Sequence, residues 1–132
     1  MLFYGEFGGR INQMIIMTVG NHATILKELV KELSEIFPGS EIIAETDALM
    51  AGKYAFNHEV DIVFAEADMK RMNGLQLIHF VRQEHPGVLS YLIVPSGEIN
   101  DFPFLTSDEV TGIIEEPLTK ASLEKALDIK RR

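Results

Sequence analysis

Cysteine and tryptophan are both absent from these 132 residues. Without a thiol there is no disulfide framework, no thiolate nucleophile and no cysteine-based zinc site, and the absence fits a reducing cytoplasm. Cations are scarce as well: 12 Lys+Arg face 20 Asp+Glu, a formal net charge of −8. That field repels a phosphate backbone unless the few cations share one face, which argues against direct nucleic-acid contact. No apolar run approaches the roughly 20 residues a membrane helix needs, and the amino terminus lacks the basic stretch of a secretory signal. The expectation is a soluble, cytoplasmic, single-domain protein that buries about two thirds of its unfolded surface without a metal or disulfide staple.

What the chain does have is a repeating alternation. Residues 14–19 (Met-Ile-Ile-Met-Thr-Val) and 60–65 (Val-Asp-Ile-Val-Phe-Ala) are short, largely apolar runs, as are 41–44, 89–94 and 111–115. They are too brief for helices and read as strands buried on both faces. Between them lie helical patterns. Ile25, Leu26, Leu29, Val30, Leu33, Ile36 and Phe37 recur at three- and four-residue spacing until Pro38-Gly39, with Asn21 placed to cap the start. Residues 47–56 give a second helix on small alanines, 75–83 a third with Leu75, Ile78 and Val81, and 120–130 a last one capped by Thr119. Residues 99–110 contain Pro103 and no sustained period, so a fourth helix there is short or distorted. Residues 1–13, with three aromatics among three glycines, read as an irregular extension ahead of a domain spanning 14–132. Five such βα units predict an α/β fold: a flavodoxin-like, doubly wound, five-stranded parallel sheet of order 2-1-3-4-5, with Ile15, Ile16, Val63, Phe64, Ile93 and Ile114 buried in it.

Function in such sheets collects beyond the carboxyl ends of the strands. The third strand runs out into Glu66-Ala67-Asp68 and a polar loop closing at Asn73-Gly74. This stretch resembles the central motif of the response-regulator receiver domain, and the resemblance covers residues 14–129 through an ordered set of landmarks. The acceptor aspartate of that family is matched by Glu66, and the metal-binding carbonyl two residues on by Asp68. The two acids that hold Mg²⁺ are matched by Gly20 and Asn21, the switch Ser/Thr by Pro95 or, one residue on, Ser96, the aromatic switch by Ile113, and the Lys-Pro pair by Glu116-Pro117. Gly74, Gly112 and Pro117 keep the family's fold markers, and the resemblance implies a cis Glu116-Pro117 bond.

The chemical residues differ in a consistent direction. Mg²⁺ wants near-octahedral oxygen ligation with one or two carboxylates, and phosphoryl transfer needs its charge. Gly20 offers no ligand, Asn21 only a neutral carbonyl, Glu66 a nucleophile one methylene too long, and Glu116 a negative charge in place of a lysine. The pocket reads as catalytically dead, with no cofactor or metal expected. Glu66 is then either a solvated or Asn21-bonded carboxylate on a retired site, or a permanent mimic of the phosphorylated aspartate. The histidines at 22, 58, 79 and 85 lack ligand spacing and read as surface residues, although His22 and Ser96 can share the rim. The expected function is a non-enzymatic, receiver-like signalling module of a two-component-type pathway, acting on a signalling partner by protein contacts without aspartyl phosphorylation. The rival is an unconventional phosphoacceptor or a small-ligand site on the same rim. Ile99, Phe102, Phe104 and Leu105 supply apolar material for a partner or homodimer face, and Lys130-Arg131-Arg132 reads as a helix end or the start of a linker to an output domain.

Overall fold

A computed structural model describes residues 13–101 and 108–127, together with the backbone of Glu6–Phe7 and Arg10–Ile11. Five strands, β1 (Ile15–Val19), β2 (Glu41–Glu45), β3 (Ile62–Glu66), β4 (Leu89–Val94) and β5 (Gly112–Glu115), pair in parallel in the order β2-β1-β3-β4-β5. That is the expected order 2-1-3-4-5. The helices are α1 (Ala23–Ile36), α2 (Ala48–Asn57), α3 (Gly74–Glu84) and α4 (Lys120–Ala126).

The period-2 pleat divides the strand residues between two cores. Met17, Val19, Val63, Ala65, Leu92 and Val94 meet α2 and α3 through Ala51, Ala55, Leu77, Ile78 and Val81. Ile16, Ile62, Phe64, Tyr91, Ile93 and Ile114 meet α1 and α4 through Leu29, Leu33 and Leu123. Each fully buried leucine of this kind contributes roughly 1.5–3 kcal/mol of transfer free energy, so the apolar stripe on α1 is what seats that helix. Thr18, a buried polar residue in β1, donates its hydroxyl to the Ile43 carbonyl at 3.0 Å. Of the six strand residues expected inside, Ile16, Val63, Phe64, Ile93 and Ile114 are buried, whereas Ile15 is half-buried at the entrance of β1.

Several local expectations need correcting. Asn21 does not cap α1; the chain turns one residue later, at His22, whose side chain makes no capping bond. The third strand starts at Ile62 and includes Glu66, because Ile62 to Glu66 pair with Leu89 to Ile93. Within the extension, Glu6–Phe7 pairs antiparallel with Arg10–Ile11, so those four residues are a short ladder and not irregular chain. Between β4 and β5 the described chain forms a single 3-10 turn, Ile99–Asp101; residues 102–107, with Phe102, Phe104 and Leu105, lie outside the described residues, as do residues 128–132. The other ends follow their chemistry. Asp47 accepts from the Leu49 N–H to cap α2, and Asn73 with Gln76 and Thr119 with Ser122 form capping boxes on α3 and α4. The Glu116-Pro117 bond is cis.

Candidate functional site

The rim above β1, β3, β4 and β5 is drawn together by backbone bonds past the strand ends. Ala67 donates to Ile93 (2.8 Å) and Glu116 to Val94 (2.9 Å), so residues 66–68, 94–95 and 116 face one another, while Gly20 donates to Glu45 of β2 (3.1 Å) and lies under the Glu66 side chain. Gly74 closes the far side of the β3 loop by donating to the Ala67 carbonyl at 2.9 Å. A side chain there would run into the Glu66 carbonyl and the Leu92 side chain, which is why the helix that follows must open on glycine.

Glu66 is the centre of the rim, and it is 4% exposed. A carboxylate so buried must be hydrogen-bonded. Its Oε1 lies 2.7 Å from the His22 ring Nδ1, and its Oε2 accepts from the His22 backbone N–H at 3.3 Å. The carboxylate can only accept, so Nδ1 is the protonated ring nitrogen and Nε2 faces away from the pair. No acid lies in the first turn of α1, so Glu66, sent from β3, is the anion placed at that positive helix end. The same side chain fills the space a residue-20 side chain would need: a Cβ built on Gly20 overlaps the Glu66 carboxylate. Gly20 and Glu66 are thus complementary in volume.

Asn21 holds the neighbouring loops instead of Glu66. Its Nδ2 donates to the Thr46 carbonyl at 3.0 Å and its Oδ1 accepts from the Lys70 N–H at 2.6 Å, tying the β2–α2 connection to the β3–α3 loop. The reading of Glu66 as a solvated or Asn21-bonded carboxylate is therefore corrected: it is buried, and its partner is His22. Sequence reasoning set His22 aside as a surface histidine because the histidines lack metal-ligand spacing, and its side chain is indeed 67% exposed; the available signal for the pair was a long acid opposite Gly20, with a ring two residues on that reaches it.

A cleft of about 80 Å³ opens beside this pair, lined by His22, Glu66, Asp68, Ile93, Pro95, Glu98 and Glu116. Of the two positions proposed for the switch hydroxyl, Pro95 lines the cleft and Ser96 sits exposed in the following turn. Ile113 packs against the core shared with α2 and α3. The electrostatics are one-sided. His22 is raised above its ordinary value, first by its hydrogen bond to Glu66, then by that carboxylate's charge, against a small opposing effect of burial, with Glu116 and Asp68 adding to the rise. Glu116 is raised too, by burial first and then by the charge of Glu66. Among the described residues no three His, Asp or Glu side chains are arranged to hold a metal ion. The Mg²⁺ of receiver chemistry does not fit this donor set, because the place of a residue-20 ligand is taken by the Glu66 carboxylate.

No protein-family model matches the chain. Among curated proteins it is 31% identical over 80 residues to the nitrate/nitrite response regulator protein NarP of Escherichia coli, covering 60% of this chain and 36% of NarP. It is 30% identical over 90 residues to the transcriptional regulatory protein GlrR of Escherichia coli, covering 67% of this chain and 20% of GlrR. Among solved structures, the signal receiver domain of an HD domain-containing protein from Pseudomonas fluorescens superposes with a TM-score of 0.71 at 21% identity, covering 88% of this chain and 95% of that one. A response regulator receiver protein from Sinorhizobium medicae gives 0.71 at 19%, covering 88% and 92%. The chain therefore has the response-regulator receiver fold, and over 80 and 90 residues it is related in sequence to NarP and GlrR.

Proposed function

We propose that this chain is a pseudo-receiver: a non-enzymatic signalling module of a two-component-type pathway that works through protein contacts and not through aspartyl phosphorylation. The observation that supports this is the Glu66 side chain, buried over Gly20 and held by both the ring and the backbone of His22. A phosphoacceptor needs its carboxylate free for in-line attack with a cation beside it. Here the carboxylate is bonded to a helix start, the cation's carboxylate ligands are absent from positions 20 and 21, and Glu116 turns a further negative group into the cleft. Glu66 is accordingly a fixed structural anion that joins β3 to α1. The segment 99–105 and a homodimer formed through it remain the proposed contact face.

The test is exposure of the full chain to Mg²⁺ with acetyl phosphate or a beryllofluoride mimic, read by mass and by amide shifts of residues 20, 21, 66 and 116. Neither modification nor a shift beyond that of the buffer is expected. A phosphorylated Glu66 or Asp68, or saturable shifts on these amides, would overturn the reading in favour of an unconventional phosphoacceptor.

A further inference from the structure

Helix α2 is inverted in its use of side-chain size. It packs inward through Ala48, Ala51, Gly52 and Ala55, all buried, with Gly52 against Phe80 of α3, while its large apolar residues Leu49, Met50 and Phe56 are 47%, 49% and 65% exposed. A surface helix ordinarily points its large apolar residues at the core. At about 100° per residue, Phe56, Leu49, Lys53, Asn57 and Met50 follow one another around the outer face, forming one stripe and not a scatter. Along its edge runs a groove of about 280 Å³, lined by Glu45, Met50, Lys53, Tyr54, Asn57 and His58. The wall of that groove is set by the Tyr54 and His58 rings, stacked 4.1 Å apart at 10°.

Charge indicates what covers the stripe. In a chain of net charge −8, this face carries Lys53 at its middle, with Lys70 and Arg71 bordering the amino-terminal end of the helix. Of the nearby acids, Asp47 accepts from the Leu49 N–H and lies 4.0 Å from Arg71, Glu45 accepts from the Asp47 N–H, and Glu41 acts on the Tyr54 side of the groove by its charge. Lys53 and Lys70 have no ion pair among the described residues. A second copy of this chain, docked about a two-fold axis through the middle of the face, would set Lys53 against Lys53. An apolar stripe with unpaired cations fits instead an amphipathic helix with acidic flanks, seated lengthwise by its i, i+3, i+4, i+7 anchors.

We propose that the outer face of α2 is a docking surface for an acidic amphipathic helix of a partner protein. This inference stands independently of whether Glu66 accepts a phosphoryl group. Its test uses the isotope-labelled full chain and two synthetic helical peptides that share the same leucine spacing, one flanked by glutamates and one by lysines. The glutamate peptide should shift the amides of residues 48–57, bind more weakly as salt rises, and outbind the lysine peptide by about tenfold. Lys53→Glu, a surface change, should reverse that preference, and Phe56→Ser should abolish binding of both. Equal binding of the two peptides, no binding of either, or shifts confined to another face would overturn the proposal. So would sedimentation showing a dimer that Phe56→Ser dissolves, which would assign the stripe to a second copy.

Discussion

A methyl group added at residue 20 tests the geometry of the rim directly, because the structure sets both the size and the sign of its effect. In Gly20→Ala the new Cβ overlaps the Glu66 carboxylate. The backbone at residue 20 is outside the left-handed region, so alanine is not strained by its own φ. The cost comes from displacing Glu66. Overpacking a filled site costs about 1–3 kcal/mol. Loosening the bonds to His22 adds a smaller amount, because the His22 ring is largely in water and that part is screened. The expected loss is about 2 kcal/mol in urea unfolding, an effect of about thirtyfold on the folding equilibrium. In the Glu66→Ala background the obstruction is gone, and the same Gly20→Ala change should be neutral or stabilise by about 0.4–1 kcal/mol through the less flexible unfolded chain. The double-mutant cycle should therefore show a coupling of about 2 kcal/mol or more. Equal costs in the two backgrounds, or a Gly20→Ala variant within about 0.5 kcal/mol of the parent, would mean that Glu66 does not lie over Gly20.

Two further predictions concern the His22–Glu66 pair and the 99–105 segment, whose residues 102–105 lie outside the described residues. Because the His22 value is raised in the fold, the folded state binds that proton more tightly than the unfolded state; the stability it adds is complete below its unfolded value near 6.5 and is lost as pH rises through the folded value. Glu116, also raised, acts in the same direction at lower pH, so its ionisation disfavours the fold; Glu66→Gln should move the His22 midpoint downward in an NMR titration, and an unmoved midpoint would contradict the pairing. If the segment 99–105 makes a homodimer, Phe104→Asp changes both halves of a two-fold interface and should shift the sedimenting species from dimer to monomer; a parent chain that is monomeric at high concentration would remove that face.

The parts of the fold that were legible in the sequence are those written in local pattern. The α1 stripe from Ile25 to Phe37, the short runs at β1, β3 and β4, and the stops at Pro38-Gly39 and Pro86-Gly87 each follow from period and turn chemistry, and parallel connectivity then leaves few strand orders. Asn21 shows the limit of that reasoning. Its residue type favours a cap, yet its amide is more useful between Thr46 and Lys70, residues brought beside it only by the crossovers. The His22–Glu66 pair spans 44 positions and has no periodic signature at all. In α2 the alanines were recognised as the packing side, but the destination of Leu49, Met50 and Phe56 depends on how closely those alanines let the helix approach the sheet.

If the chain is a pseudo-receiver as proposed, the volume complementarity of Gly20 and Glu66 predicts that receiver chemistry is not gained one residue at a time. Gly20→Asp alone drives a carboxylate into space that the Glu66 carboxylate occupies, and two like charges would compete for one position. Glu66→Asp alone vacates that space but leaves position 20 without a ligand, so no metal is gained. Asn21→Asp keeps an acceptor for the Lys70 N–H but loses the donor to the Thr46 carbonyl, a cost with no return until a cation is present. Glu116→Lys by itself brings a positive group to a cleft whose central carboxylate is already bonded to His22. On the proposed reading the positions act together: Mg²⁺ affinity, read by titration, should appear only when Gly20→Asp, Asn21→Asp and Glu66→Asp are combined, because the metal needs the oxygen ligands, and phosphoryl transfer should need the Glu116→Lys cation as well.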